Sequence, residues 1–239
     1  ETTLGAIDNI YRHQITLAST LHFTSTNSYK NRVIELIDSN ENVFLIGALS
    51  LSEIEKFKPI KKEEFFLKFN IKKAPFCLIT FHPETNAFIE NKKYAFEMKK
   101  ALEIISKKIN LIITMPNADT MGSIYRDQLI LLEKENKENV LLIENFGKEN
   151  YFSAMYYATI LLGNTSSGIL EAASFRKYVV NIGDRQKGRA QGENILNSKF
   201  KREDIIEKVD KALKLGEYSR ENIYYRKGSA NNIIEILKE

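Results

Sequence analysis

Tyr157-Ala158-Thr159-Ile160-Leu161-Leu162-Gly163-Asn164-Thr165-Ser166-Ser167-Gly168-Ile169-Leu170-Glu171-Ala172-Ala173 joins three kinds of local signal in seventeen residues. An apolar run over 157–162 ends in a turn of small residues. Helical spacing then resumes with Ile169, Leu170, Ala172 and Ala173. Strand, tight turn and helix start is the geometry in which unsatisfied backbone N–H groups and the positive end of a helix meet an anion. The hydroxyls of Thr165, Ser166 and Ser167 can cap the helix or donate to phosphate oxygens. Glu171, about one turn in, has two oxygens able to accept from a vicinal diol such as a ribose. One short strand later comes Gly183-Asp184-Arg185-Gln186-Lys187-Gly188-Arg189, which puts Arg185 at the next strand's carboxyl end, where open α/β sheets bind ligands. A diphosphate carrying a ribose fits this set of groups. The same turn also reads as a plain helix cap without a ligand.

The pattern extends in both directions. Strands at 76–81, 111–115, 140–143, 159–162 and 178–182 alternate with helices at 92–107, 124–135, 151–157, 168–175 and 202–215. That order specifies a parallel sheet covered on both faces. Before it, a helix within 4–20, a strand at 21–24, a helix at 28–39 and a strand at 43–47 form a smaller α/β piece. Residues 50–73, lysine-rich and carrying Pro59, suit a connection with two short helices. Residues 230–238 form a last amphipathic helix.

Composition narrows the partners. Thirty-five basic against 31 acidic side chains leave a net charge of +4, spread along the chain rather than blocked. That balance excludes a nucleic-acid footprint and mildly favours a small anionic ligand. No stretch approaches the roughly 20 apolar residues of a membrane span. Cys77, the single cysteine, sits in an apolar run, which predicts a buried thiol and a reducing, cytoplasmic setting. Three histidines and one cysteine at these spacings make no metal-ligand pattern, so neither metal nor cofactor is expected.

Four segments together carry a resemblance. Residues 163–194, GNTSSGILEAASFRKYVVNIGDRQKGRAQGEN, are similar to the signature of the hydrolysing UDP-N-acetylglucosamine 2-epimerases. Ile79-Thr80-Phe81-His82-Pro83-Glu84-Thr85 resembles that family's strand-end T-x-H-P-x-T, and Met115-Pro116-Asn117-Ala118-Asp119 its P-N-x-D. Residues 1–13, ETTLGAIDNIYRH, resemble the segment after its G-G-E.

The resemblance implies a glycosyltransferase-B-like α/β fold of two Rossmann-like halves with parallel sheets, the first half largely missing from this chain. It would lie before Glu1 and add on the order of 100–150 residues. Expected boundaries are 1–48 for the end of that half, 49–74 for the connection, 75–216 for a UDP-binding domain and 217–239 for a helical tail packing back toward the first half. The implied activity is conversion of UDP-N-acetylglucosamine to N-acetylmannosamine and UDP, through loss of UDP and hydration of a glycal intermediate. Proton transfer at C2 needs carboxylates, and the departing nucleotide needs a diphosphate cradle. Asp8, held ionised by Arg12 four residues on, and His82 at a strand end are the expected catalytic groups. Arg12, Asn117, Phe146, Thr165, Ser166, Ser167, Gly168, Glu171 and Arg185 are the expected UDP-sugar contacts, with the loop aromatic Phe146 lining a uracil pocket. A homo-oligomer, dimer or tetramer, is implied as well. The alternatives are a 2,4-diacetamido-trideoxyhexose nucleotide as substrate, a nucleotide-sugar-binding module without complete catalytic machinery, and a glycosyltransferase of the same fold.

Overall fold

The computed structural model describes residues 9–84, 89–116 and 122–238. The chain begins with α1 (Asn9–Ala18), which packs on α2 (Asn27–Ile37). Strands β1 (His22–Thr24) and β2 (Val43–Leu45) pair in parallel on either side of α2. Thr26 starts α2 by accepting the Tyr29 N–H on its hydroxyl, and Asp38 ends it in the left-handed conformation. The connection holds two 3-10 turns, Leu49–Ser52 and Ile54–Lys56, and the short helix α3 (Lys62–Lys68), so three helical pieces stand where two were expected.

The larger unit alternates strand and helix: β3 (Phe76–Thr80), α4 (Asn91–Ile105), β4 (Asn110–Thr114), α5 (Gly122–Glu135), β5 (Val140–Ile143), α6 (Lys148–Tyr157), β6 (Ile160–Gly163), α7 (Ser166–Leu170), β7 (Val179–Ile182), β8 (Ile195–Ser198) and α8 (Arg202–Leu215). Helix α9 (Ser229–Lys238) closes the chain and contacts the 49–52 turn. The sheet is wholly parallel, in the order β5-β4-β3-β6-β7-β8. From β3 the chain winds outward through β4 and β5, then crosses back to β6 on the other side. The direction of winding therefore reverses between β3 and β6, where doubly wound sheets open a crevice at their carboxyl ends.

Strand period explains the two-sided burial. Cys77, Ile79 and Phe81 point into a core formed with α4, α5 and α8, among them Met98, Leu102, Tyr125 and Val209. Phe76 and Leu78 point the other way, into a core containing Phe65, Phe152, Phe175 and Tyr224. Burying each such side chain contributes roughly 1.5–3 kcal/mol, which is what fixes β3 as the central strand. Burial also raises the pKa of the Cys77 thiol. Among the described residues no helix is long and apolar enough to cross a membrane.

Two local features differ from the sequence expectation. Strand β8 was not foreseen, because Ile195 and Leu196 are followed by Asn197 and Ser198, too short and polar a run for an apolar pattern. It is held at the sheet edge by register with β7 and by the Asn181 amide donating to Asn197 Oδ1 at 2.9 Å. The helix expected over 168–175 is broken: α7 stops at Leu170, and Ala172–Phe175 forms a 3-10 turn ended by Arg176 in the left-handed conformation.

Candidate functional site

The reversal point brings three strand ends into one cluster. Thr80 stands level with Gly163, and Gly163 with Asn181. Gly163 has φ of +143°, and a Cβ there would overlap the Thr80 carbonyl, so only glycine lets β3 and β6 end this close together. Beyond that point the chain continues into His82, Asn164 and the loop opened by Gly183.

Asn164 joins the three ends. It is fully buried, and its Oδ1 accepts the His82 N–H while its Nδ2 donates to the His82 carbonyl, both at 2.8 Å. Its own carbonyl accepts from Arg185 Nη1 at 3.2 Å and from Gln186 Nε2 at 2.8 Å. Glu84 grips the same loop from β3's side: Oε1 accepts the N–H of Asp184 at 2.6 Å and of Arg185 at 3.2 Å. Burial raises the Glu84 pKa, and those two amides oppose the rise. A third layer supports Glu84, whose main-chain N–H and C=O both bond the Asn91 side chain, while Tyr125 donates to Asn91 Oδ1.

At the start of α7, Thr165 is the cap. Its backbone is extended, and its hydroxyl accepts the Gly168 N–H at 3.2 Å, leaving the hydroxyl hydrogen to donate elsewhere. Ser166 and Ser167 head the first turn, whose N–H groups have no partner within the helix. Ser166 is exposed and Ser167 half-buried, so these donors face outward. With five residues, α7 offers local N–H groups more than a summed dipole. A Cβ on Gly168 would come within 3.1 Å of Val179, which is how α7 lies close against β7.

Glu171 sits at the break after α7 and is 7% exposed. Burial pushes its pKa up to about 7, against the opposing effects of a hydrogen bond from Ser50 Oγ at 2.8 Å and the positive charges of Arg189 and Lys148. Ser50 belongs to the 49–52 turn, so this bond ties the connection to the end of the candidate cradle.

Of the expected residues, His82, Thr165, Ser166, Ser167, Gly168 and Arg185 stand at these strand ends, with Glu171 just behind them. Arg12 is half-buried on a different element, α1, packed on α2. Asp8 and Asn117 lie outside the described residues. Phe146, expected to line a uracil pocket, is packed into the core. Its ring is 4% exposed, stacked on Phe65 at 5.9 Å and edge-on to Phe69 at 4.7 Å, because a phenylalanine beside α3 is worth most to the core. Asn164, Glu84 and Gln186 were missed as site residues, although all three stand inside the quoted motifs. Among the described residues, no group of three or more His, Cys, Asp or Glu side chains is placed to hold a metal ion.

The model of the UDP-N-acetylglucosamine 2-epimerase family matches residues 1–238. A Campylobacter jejuni protein named GDP/UDP-N,N'-diacetylbacillosamine 2-epimerase (hydrolyzing) is 36% identical over 201 residues, which are 84% of this chain and 52% of that protein. The Escherichia coli polysialic acid biosynthesis protein P7 is 31% identical over 243 residues, 100% of this chain and 62% of that protein. The chain thus spans between half and two thirds of the length of these relatives. Among solved structures, UDP-GlcNAc 2-epimerase from Neisseria meningitidis bound to UDP-GlcNAc superposes with a TM-score of 0.79 at 19% identity, covering 98% of this chain and 65% of that one. The fold is the glycosyltransferase-B-like α/β arrangement with parallel sheets shared with such structures.

Proposed function

The chain belongs to the UDP-N-acetylglucosamine 2-epimerase family, and we propose that it carries the nucleotide-holding part of a hydrolysing sugar-nucleotide 2-epimerase. The observation that supports this most is the junction of β3, β6 and β7, where Arg185 and the start of α7 meet at the reversal point of the sheet. In this reading the N–H and hydroxyl groups of Ser166 and Ser167, with Arg185, hold the diphosphate of a UDP-linked 2-acetamido sugar. Glu171 accepts from the ribose hydroxyls, and His82 donates to the diphosphate or the sugar.

The reaction then has two stages. The C1–O bond to UDP breaks and the C2 proton leaves, giving a glycal. UDP has left by then, and water adds its hydroxyl to C1 and a proton to the opposite face of C2, giving the free epimer. Asp8 is assigned the proton transfer, oriented by Arg12, and Asn117 donates its amide to the sugar or phosphate. Charge-assisted donors act where negative charge develops on the departing diphosphate, which is the larger source of rate.

Two substrates fit these groups. UDP-N-acetylglucosamine is the first, and a sialic-acid-type pathway for its product is supported by the name of the Escherichia coli relative. The second is a 2,4-diacetamido-trideoxyhexose nucleotide, favoured by the name of the Campylobacter jejuni relative. Calorimetric titration with UDP tests the cradle, and comparison of kcat/KM on the two sugar nucleotides separates the substrates. Absence of UDP binding overturns the nucleotide reading, and full-length protein that binds UDP but releases none from either sugar overturns the epimerase reading.

A further inference from the structure

The loop after β7 carries Arg185 near its start, and its other end is gripped by two tyrosines from distant parts of the chain. The Ala190 N–H donates to Tyr29 Oη at 2.8 Å, and Tyr224 Oη donates to the Ala190 carbonyl at 2.6 Å. The two hydroxyls are 3.2 Å apart. A main-chain N–H only donates and a carbonyl only accepts, so the proton positions follow. Tyr224's one hydrogen goes to Ala190, and Tyr29's therefore goes to Tyr224. Three bonds close a ring running in a single direction around one residue of the loop.

Tyr29 stands on the side of the small sheet, and Tyr224 bridges to it from the core of the larger unit. Tyr29 is in the first turn of α2. Tyr224 lies between α8 and α9, its N–H donating to Asn222 Oδ1 and its carbonyl accepting the Ala48 N–H at 2.8 Å just after β2. Tyr29 is 8% exposed and Tyr224 fully buried, so neither hydroxyl has water as an easy alternative partner. Phenylalanine would fill the same volume. The two hydroxyls add their hold on Ala190 and on one another.

We propose that Tyr29 and Tyr224 are positioning residues of the nucleotide site: through Ala190 they set the loop that carries Arg185, and so make nucleotide affinity depend on the placement of the small sheet. This rests on the assignment of that loop to the diphosphate. Because coupling is reciprocal, a ring that favours nucleotide binding is itself favoured by bound nucleotide.

The test is the set Tyr29→Phe, Tyr224→Phe and the double variant, titrated with UDP well below their melting temperatures. Since both hydroxyls are needed to close the ring, each single variant should lower UDP affinity, by about 5- to 20-fold in Kd, and the loss in the double variant should fall short of the product of the two. A lower Tm with unchanged Kd overturns the positioning role and leaves a structural one. Should the variants not fold, amide exchange in the wild-type chain serves instead. UDP should slow exchange of the Ala190 N–H, and an unchanged rate overturns the proposal. A wild-type chain that does not bind UDP at all instead overturns the nucleotide reading, which keeps the two failures distinct.

Discussion

Asn164 holds His82 by both of its main-chain polar groups, N–H and C=O, across 82 residues of sequence and the point where the sheet reverses its winding. One buried amide side chain thereby replaces the main-chain ladder that would have continued had β3 and β6 run on. It also places the His82 side chain relative to the start of α7, since Asn164 immediately precedes the cap Thr165.

Asn164→Ala should destabilise the fold by about 1–3 kcal/mol, because it removes the side chain that the half-buried His82 N–H and C=O both bond. Urea unfolding of the variant against wild type measures this. A midpoint shift too small for 1 kcal/mol would show that the clamp is dispensable.

Glu84 should be replaceable by glutamine but not by alanine. Both loop amides converge on one oxygen, Oε1, and a glutamine oxygen can accept the same pair. UDP affinity is expected within about threefold of wild type for Glu84→Gln and to fall roughly tenfold or more for Glu84→Ala. Equal affinities in the two variants would remove Glu84 from loop placement.

Glu171 makes stability depend on pH. Burial pushes its folded pKa up to about 7 from an ordinary glutamate's 4.5, so the folded chain keeps a proton that the unfolded chain gives up. The associated stability is fully present below pH 4.5 and is lost as pH rises to about 7, an effect on the order of 3 kcal/mol. Glu171→Gln should flatten that part of the profile, as read from chemical denaturation at a series of pH values. The same decline in the variant would assign it to other groups.

Arg185→Ala should weaken UDP binding by about 1.5–3 kcal/mol, the range for a charge-assisted hydrogen bond, or roughly 10- to 150-fold in Kd. The Glu84 bonds to the loop's main chain remain in this variant, so the loop itself should stay in place. An unchanged Kd by calorimetry would take Arg185 out of the cradle.

What could be read from sequence divides along a physical line. Strand and helix positions came from periodicity, which is local: β5 and α8 fall on the expected residues, and most other ends shift by one to three. The site was legible where chemistry and chain order coincide, as in Thr165 to Gly168 after an apolar run. It was not legible where side chains grip main chain across long separations. Nothing around Glu84 says that its oxygen meets amides 100 residues away, and nothing near Ala190 points to Tyr29. Phe146 shows the converse, a loop aromatic that looks available until Phe65 and Phe69 arrive from another element. Strand β8 depends on its neighbour more than on its own composition.

Glu84, Tyr29 and Tyr224 all seize the backbone of the 184–190 loop. Tolerance to substitution is therefore lopsided. The gripping residues are constrained, while exposed Asp184 and Lys187 can be exchanged freely so long as the amide hydrogens survive. Proline at 184, 185 or 190 is the substitution this arrangement forbids, because it deletes the donor. At these exposed positions side chains can drift in size and charge, and a neighbouring sugar pocket can be retuned without loosening the hold on the nucleotide.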